Sequence, residues 1–552
     1  MAVLVVAASA LGLLCTRVGA YDDGLLLVGA RVVGAGRLPY RDFYTHYGPL
    51  GYFLLEPPMR WIRNPGIALR VAQASALAAV LVLLLSALRR SAVSAGPMLF
   101  GFAALLFSAA LSYPAFLGFA FAASALAAAV ACRASSGTRG RAWLLAAAAL
   151  LAAAFWTRAA FAAYAAGALV FLELLHPDAD ARRRLSLGVL AAAFAGGALW
   201  LAFFPALGAR TIAEGMLLAP ARLVTLGPRF RIPGFVTAGL PWSALIGGAI
   251  AAAPFLWTVA LTGRRVRRIA AGAILLGAAL PVALTPATKW IGALLTVTNL
   301  ALALLIGVLS RDEIRRTPSL WAAAAFGLAA SAFGHYYWIR PDFTHLYPLL
   351  SLSAAAVLFT ASSPIRTLAA ALVLALPLVP LGADDPEIPL FRLAQGGLAR
   401  AVENAARPGA RLATLWPAGE FSSDAAEAVS LADRLSDRGS RFVAYGSEQS
   451  WTPGDPVFLF LLSSRLPYTK WFQYDPGVQS SPPIQQEMIR EIEASGSRAA
   501  VVWRSESYYF DAPPAALAGR SPFDAYVDRA FPSVVRSFGS YEVRTRDPEP
   551  PR

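Results

Sequence analysis

The chain is poor in cysteine, lysine, histidine and charge. Of 552 residues only two are cysteine, Cys15 and Cys132, and both sit inside apolar runs. That number and placement exclude a disulfide framework and any Cys-based metal motif. Lysine occurs only at Lys289 and Lys470, and histidine four times. Charged residues make up 15% of the chain against 57% hydrophobic, with a mean hydropathy of +0.55. A soluble globular domain is excluded by that balance, and a polytopic membrane protein is what it fits. The sequence shows no internal repeat and no glycine-rich phosphate cradle.

The net charge of +15 is unevenly spread. Residues 384–552 hold 18 Lys+Arg against 22 Asp+Glu, which leaves 30 basic and 11 acidic residues before them out of totals of 48 and 33. The excess of positive charge therefore belongs to the apolar part. There it reads as a topology signal and not as a nucleic-acid surface.

A membrane core about 30 Å thick needs roughly 20 apolar residues per helix. Such runs fall at 2–20, 67–88, 96–112, 114–132, 143–157, 159–175, 186–207, 236–262, 269–286, 289–309, 318–334, 346–362 and 366–382. The expected architecture is a polytopic α-helical membrane protein of about thirteen spans over 1–382. The V-G-A before Tyr21 is similar to a signal-peptidase site, but residues 2–20 lack a basic leader, so we read an uncleaved first span. Arginines cluster in alternate short loops, as at Arg89-Arg90, Arg133 to Arg141, Arg182 to Arg184 and Arg264 to Arg268. The positive-inside rule assigns that side to the cytoplasm. The opposite side receives the first loop, 21–66, and the whole tail.

The tail, 383–552, is polar and Pro-rich. R-L-A-T-L-W-P (411–417), R-F-V-A-Y-G (441–446), A-A-V-V-W-R (499–504) and Y-E-V-R-T (541–545) read as strands, and 423–437 and 482–496 as amphipathic helices. This alternation predicts a soluble extracytoplasmic α/β domain with a partly parallel sheet.

Six of the eleven acidic residues of the apolar part fall on the outer side: Asp22, Asp23, Asp42, Glu56, Glu214 and Asp342. Four of these lie in the first loop, whose R-L-P-Y-R-D-F-Y-T-H-Y-G-P-L-G-Y is dense in aromatics and turn formers. That composition suits an ordered segment at the membrane surface. Carboxylates at a membrane boundary are costly unless solvated or paired, and often mark a site. One of them can act as general base, taking the proton from an acceptor hydroxyl as its oxygen attacks an anomeric carbon. A lipid-phosphate leaving group needs cations close by, and Arg158, Arg222, Arg229, Arg231, Lys289 and Arg340 are the outer candidates. G-H-Y-Y-W-I-R-P-D-F-T-H-L-Y-P-L-L (334–350) gathers His335, Arg340, Asp342 and His345 in one short loop, at spacings that make no metal motif.

The first outer loop resembles that of the GT-C superfamily of integral-membrane glycosyltransferases, near the protein O-mannosyltransferases and the lipid A aminoarabinose transferases. Asp22-Asp23 stands where the family carries an acidic pair after its first span. Asp42 with His46-Tyr47-Gly48-Pro49-Leu50-Gly51 stands at its second motif, although Tyr47 and Gly48 separate His46 from Pro49. The resemblance implies an inverting transferase using a polyprenyl-phosphate sugar at the outer face of the cell membrane. The acceptor would be a lipid, a glycan or a protein. It makes Asp22 the base, with Asp23 and Asp42 shaping the acceptor site or holding a divalent ion. His46 and Tyr47 would line the site, with Asp342 near Arg340, and Arg158, Lys289 and Arg340 would hold phosphate. The alternative is a transporter or flippase of lipid-linked sugars. It would need charges along the spans and related halves.

Overall fold

The computed structural model describes residues 2–14, 22–62, 64–93, 97–112, 115–175, 179–218, 317–339, 343–360, 423–446, 457–472, 479, 481–504 and 522–546. The expected spans at 236–262, 269–286, 289–309 and 366–382, and the expected strand at 411–417, lie outside them. Two compact units emerge.

The first unit draws on Met1–Thr16, Ala72–Ala202 and Gly234–Leu398. Its helices are α1 (Ala2–Leu14), most of α4 (Pro65–Arg90), α5 (Pro97–Leu111), α6 (Phe116–Arg133), α7 (Gly137–Thr157), α8 (Ala159–Leu175), most of α9 (Ala179–Leu207), α11 (Pro318–Ile339) and α12 (Phe343–Thr360). Pro65 and Pro318 open α4 and α11, where a missing N–H loses nothing. Asn64 caps α4, its Oδ1 accepting the Ile67 N–H at 3.2 Å. α6 packs on α5, α7, α8 and α11, and α12 on α5 and α11. Alanines such as Ala122, Ala125 and Ala128 are buried in α6, and Ala322 to Ala325 in α11. Small side chains let helix backbones approach closely, which is how helices associate in lipid. Aromatic rings fill the rest: Phe161 lies 4.8 Å from Phe333, which meets Phe119 edge-on at 5.6 Å.

Among the described residues, Pro65–Arg90, Phe116–Arg133, Gly137–Thr157 and Arg183–Phe203 are long and apolar enough to cross a membrane. The last has none of its apolar window buried in protein, and Phe194 is 81% exposed. A face of that character matches a lipid solvent, not water.

The second unit joins Arg17–Val71, Phe203–Pro233 and Ala399–Arg552. It holds α2 (Asp22–Gly34), α3 (Pro49–Trp61), the first turns of α4, and α10 (Ala209–Ala213) running into a π-helical turn, Glu214–Leu218. From the tail come α13 (Ser423–Leu435), β1 (Val443–Gly446), α14 (Val457–Leu462), α15 (Pro482–Ala494), β2 (Ala499–Trp503), α16 (Pro522–Ala530), β3 (Ser533–Phe538) and β4 (Tyr541–Thr545). The sheet runs β1-β2-β4-β3. β1 pairs parallel with β2, with Val443 opposite Ala500, and the other pairs are antiparallel. β1 and most of β2 are continuously buried, as interior parallel strands are. β4 alternates, with Tyr541, Val543 and Thr545 inward. The apolar stripe of α13, including Ala425, Ala428 and Val429, packs on β2, β3 and β4. The partly parallel sheet expected for the tail is thus present, with β3 an added edge strand. Residues 37–52, expected to be an ordered segment, form the built loop between α2 and α3 and the first turn of α3.

Candidate active site

Asp22 and Asp23 are the first two residues of α2. A helix N-terminus favours a carboxylate, because its free N–H groups and macrodipole carry partial positive charge. Asp23 is buried, and its Oδ2 accepts a hydrogen bond from Arg70 Nη2 at 2.9 Å. The two side chains are 4% and 1% exposed. The pair therefore carries little net charge, and Arg70 offsets the influence of Asp23 on its neighbour. Sequence reading counted Arg70 inside the apolar run 67–88 and gave it no role. An arginine within such a run needs a partner, and that was the signal available.

Glycines bring α2 close to what surrounds it. A Cβ on Gly29 would lie 2.2 Å from the Tyr52 ring, and one on Gly24 would lie 3.3 Å from Val457. Tyr52 shares a 2.5 Å hydrogen bond with the Thr45 hydroxyl, and Thr45 Oγ1 also accepts the Tyr47 N–H at 3.0 Å. Tyr40 donates its hydroxyl to the Tyr47 carbonyl at 2.7 Å. Its backbone holds φ at +68°, a conformation bulky residues avoid, fixed here by the 2.7 Å bond from Tyr40 N to Phe43 O. Burial first, and the nearby Tyr52 second, push the Tyr40 phenol well above its usual range. A Cβ on Gly215, in the π turn, would lie 2.1 Å from the Tyr40 ring. The His46 ring stacks on Tyr47 at 4.4 Å, so these two predicted site residues do lie together.

Asp42 is committed differently. Its Oδ2 accepts the Leu38 N–H at 2.8 Å, and both carboxylate oxygens accept from Arg41, at 2.7 and 3.0 Å. The Arg41 bonds are the largest effect and outweigh burial, and with the Leu38 amide and the charges of Arg41 and Arg37 they hold its carboxyl below the usual range. A carboxylate so stabilised is a weak proton acceptor and a good organiser of its loop.

The loop is docked onto the tail. Tyr44 N donates to Lys470 O at 2.8 Å, Phe43 stacks on Phe472 at 5.5 Å, and Tyr44 meets Trp471 at 5.3 Å. Arg31, at the far end of α2, donates to the carbonyls of Phe460 (2.9 Å), Ser463 (2.7 Å) and Arg465 (2.9 Å). Phe460 lies in the last turn of α14, where a cation is favoured, and Ser463 and Arg465 follow its end.

In the first unit Arg158 stands at the C-terminus of α7, its N–H donating to Ala154 O at 2.7 Å. Its guanidinium lies over the rings of Phe161 (5.5 Å) and Tyr336 (5.4 Å). Tyr336 stacks on buried His345 at 4.3 Å, and His335 Nδ1 and the Tyr164 hydroxyl share a 2.8 Å hydrogen bond. Arg158 is thus brought to the 334–350 segment, which sequence alone left separate. Lys289, Arg340 and Asp342 lie outside the described residues.

Among the described residues, no group of three or more His, Cys, Asp or Glu converges as metal ligands would. At Asp23 and Asp42 a guanidinium already stands where a cation would bind. These two carboxylates do not fit a divalent-ion site as they are arranged.

No protein-family model matches the sequence, and no curated protein does. Solved structures are similar. ArnT from Cupriavidus metallidurans bound to undecaprenyl phosphate aligns over 99% of this chain and 97% of its own, with a TM-score of 0.52 and 13% identity. The Archaeoglobus fulgidus oligosaccharyltransferase in complex with Zn and sulfate aligns over 91% of this chain and 68% of its own, with a TM-score of 0.47 and 14% identity. AglB from the same organism, with an inhibitory peptide and a dolichol-phosphate, gives 0.46 at 14% identity over 91% and 69%. The likeness to ArnT is one of fold and runs nearly end to end. The chain is a helical membrane protein with a fold like that of ArnT.

Proposed function

We propose that this protein is an inverting glycosyltransferase that moves a sugar from a polyprenyl-phosphate donor to a lipid, glycan or protein acceptor at the outer face of the cell membrane. Asp22 takes the proton of the acceptor hydroxyl. The freed oxygen pair forms the bond to the anomeric carbon, and the carbon–oxygen bond to phosphate breaks. The polyprenyl phosphate leaves with that electron pair. Support for the reading comes from the ArnT-like fold, in a neighbour that carries undecaprenyl phosphate, together with the acidic start of α2.

The observation that carries the assignment is the Asp23–Arg70 pair. Because the Asp23 charge is committed to Arg70, proton transfer is assigned to Asp22. Asp23 becomes a positioning residue, and Asp42, held by Arg41 and Leu38, orders the loop that carries His46 and Tyr47. Arg158, Lys289 and Arg340 are the cations proposed for the departing phosphate, with Asp342 beside Arg340. The two rings against Arg158 hold its guanidinium in place, which suits a fixed phosphate contact. The tail and the first loop share one compact unit, which supports putting both on the outer side.

The test is sugar consumption from a panel of polyprenyl-phosphate sugars by the full chain in lipid nanodiscs, with candidate acceptors added. Wild type should consume one donor, and Asp22→Asn should lose about 100- to 10,000-fold of that rate while remaining folded. Equal consumption by both proteins would remove Asp22 from the chemistry.

A further inference from the structure

Helix α15 carries Glu487 and Glu491 one turn apart on the same face. Two carboxylates at that spacing repel, and Glu491 sits in the last turn, where the macrodipole disfavours an anion. The local energetics of the helix oppose this pair, so its support comes from elsewhere. It comes from three consecutive residues of the tail, Thr469-Lys470-Trp471. The Thr469 hydroxyl donates to Glu491 Oε2, and the Lys470 N–H donates to the same carboxylate. Glu487 Oε1 pairs with Lys470 Nζ at 2.6 Å, and its Oε2 accepts from Trp471 Nε1 at 3.0 Å. Thr469 Oγ1 also accepts the Trp471 N–H at 3.0 Å, which closes a turn within the segment. Just before it, Tyr468 N donates to Phe442 O at 3.0 Å, which ties the segment to the start of β1.

The same segment receives the first outer loop. The Lys470 carbonyl accepts the Tyr44 N–H, and the rings of Phe43 and Tyr44 lie on those of Phe472 and Trp471. Residue 470 thus donates to α15 with its N–H and accepts from the loop with its C=O. We propose that Glu487 and Glu491 are positioning residues, which hold Thr469–Trp471 and through it fix the loop that carries His46 and Tyr47. This gives the tail a part in sugar transfer, as the template against which the first loop is set, and it rests on the transferase reading. Bonds to ionised carboxylates are strong enough to hold such a template still. A displacement of about 1 Å at a reacting site can cost about 100-fold in rate, so the clasp acts on kcat out of proportion to its size.

The test is hydrogen exchange and donor consumption by the full chain in lipid nanodiscs. Glu487→Ala and Thr469→Val should each speed exchange at the Tyr44 amide by about tenfold, with Val501 in β2 unchanged. In both variants kcat should fall about 10- to 100-fold, with KM for the donor unchanged. Glu487→Gln keeps an acceptor for Trp471 and should recover most of the loss. Arg490→Ala, an exposed change on the same helix, should leave both readouts at wild type. A merely structural pair would act otherwise: exchange would rise across α15 and the sheet together, and kcat per folded molecule would not move. Unchanged exchange at Tyr44 in both variants would overturn the proposal. So would wild-type kcat in a variant whose Tyr44 amide has loosened. Exchange is read without any donor, so the clasp stands or falls on it alone. A wild type that consumes no donor sinks the transferase reading, and the part in transfer with it.

Discussion

Asp23 and Arg70, 47 positions apart, close a 2.9 Å ion pair with both side chains almost fully withdrawn from solvent. Breaking such a pair from one side leaves a buried charge uncompensated and costs about 3–5 kcal/mol. Arg70→Met should therefore lower the unfolding midpoint of the protein sharply, and so should Asp23→Asn. The double variant Asp23→Asn/Arg70→Met should recover much of the loss. A double-mutant cycle on thermal unfolding in nanodiscs checks this, and strictly additive losses would contradict the pairing.

The contact between Gly29 and Tyr52 leaves no room for a methyl group. Gly29→Ala should destabilise by about 1–3 kcal/mol through overpacking, and it should shift α2. Because Asp22 opens that helix, the proposed sugar transfer should fall together with stability. A second change, Tyr52→Leu, should restore stability in Gly29→Ala by opening space, and it should not restore the Thr45 hydrogen bond.

Asp42 predicts a pH response. Its carboxyl is held below the ordinary value of 3.8, so the ionised form is the one folding favours. The stabilisation is present above that value and is lost as pH falls through the lower folded value. Hydrogen exchange at the Leu38 amide reads it directly. Protection should persist at neutral pH, fall below about pH 4, and be absent at all pH values in Asp42→Ala.

Glu491 should behave in the opposite sense. Burial raises its carboxyl above the ordinary 4.5, outweighing the hydrogen bonds from the Thr469 hydroxyl and the Lys470 backbone and the attraction of Lys470. The neutral form is then the one folding favours, present below the unfolded value and lost as pH rises through the folded one. Glu491→Gln should slow hydrogen exchange in α15 at pH 8 and leave it unchanged at pH 4. Unchanged exchange at pH 8 would contradict this.

The tail and the first loop were unequally legible in the sequence. The runs 441–446, 499–504 and 541–545 became β1, β2 and β4 because buried β-branched and aromatic residues leave few other choices. β3 was missed, since S-V-V-R-S-F follows a proline, carries an arginine and bulges between Val534 and Arg536, as edge strands do. The acidic start of α2 was legible from charge in an apolar setting. Its partners were not. Arg70, Tyr52 and the carbonyls around the end of α14 meet α2 only through tertiary packing, which no local periodicity encodes. Asp42 read as a site carboxylate, and its own local partners, Leu38 and Arg41, occupy both oxygens.

The bonds from Arg31 to the carbonyls near Ser463 have a consequence for the timing of synthesis. The two ends are 432 positions apart. At roughly 5–20 residues per second, the ribosome delivers the second about 20–90 s after the first. Throughout that interval α2 stands at the membrane boundary without the contacts that later hold its far end. The far end of α2 is therefore fixed late, although the helix emerges early. A chain stalled before residue 460 would lack all three carbonyls that hold the far end of α2.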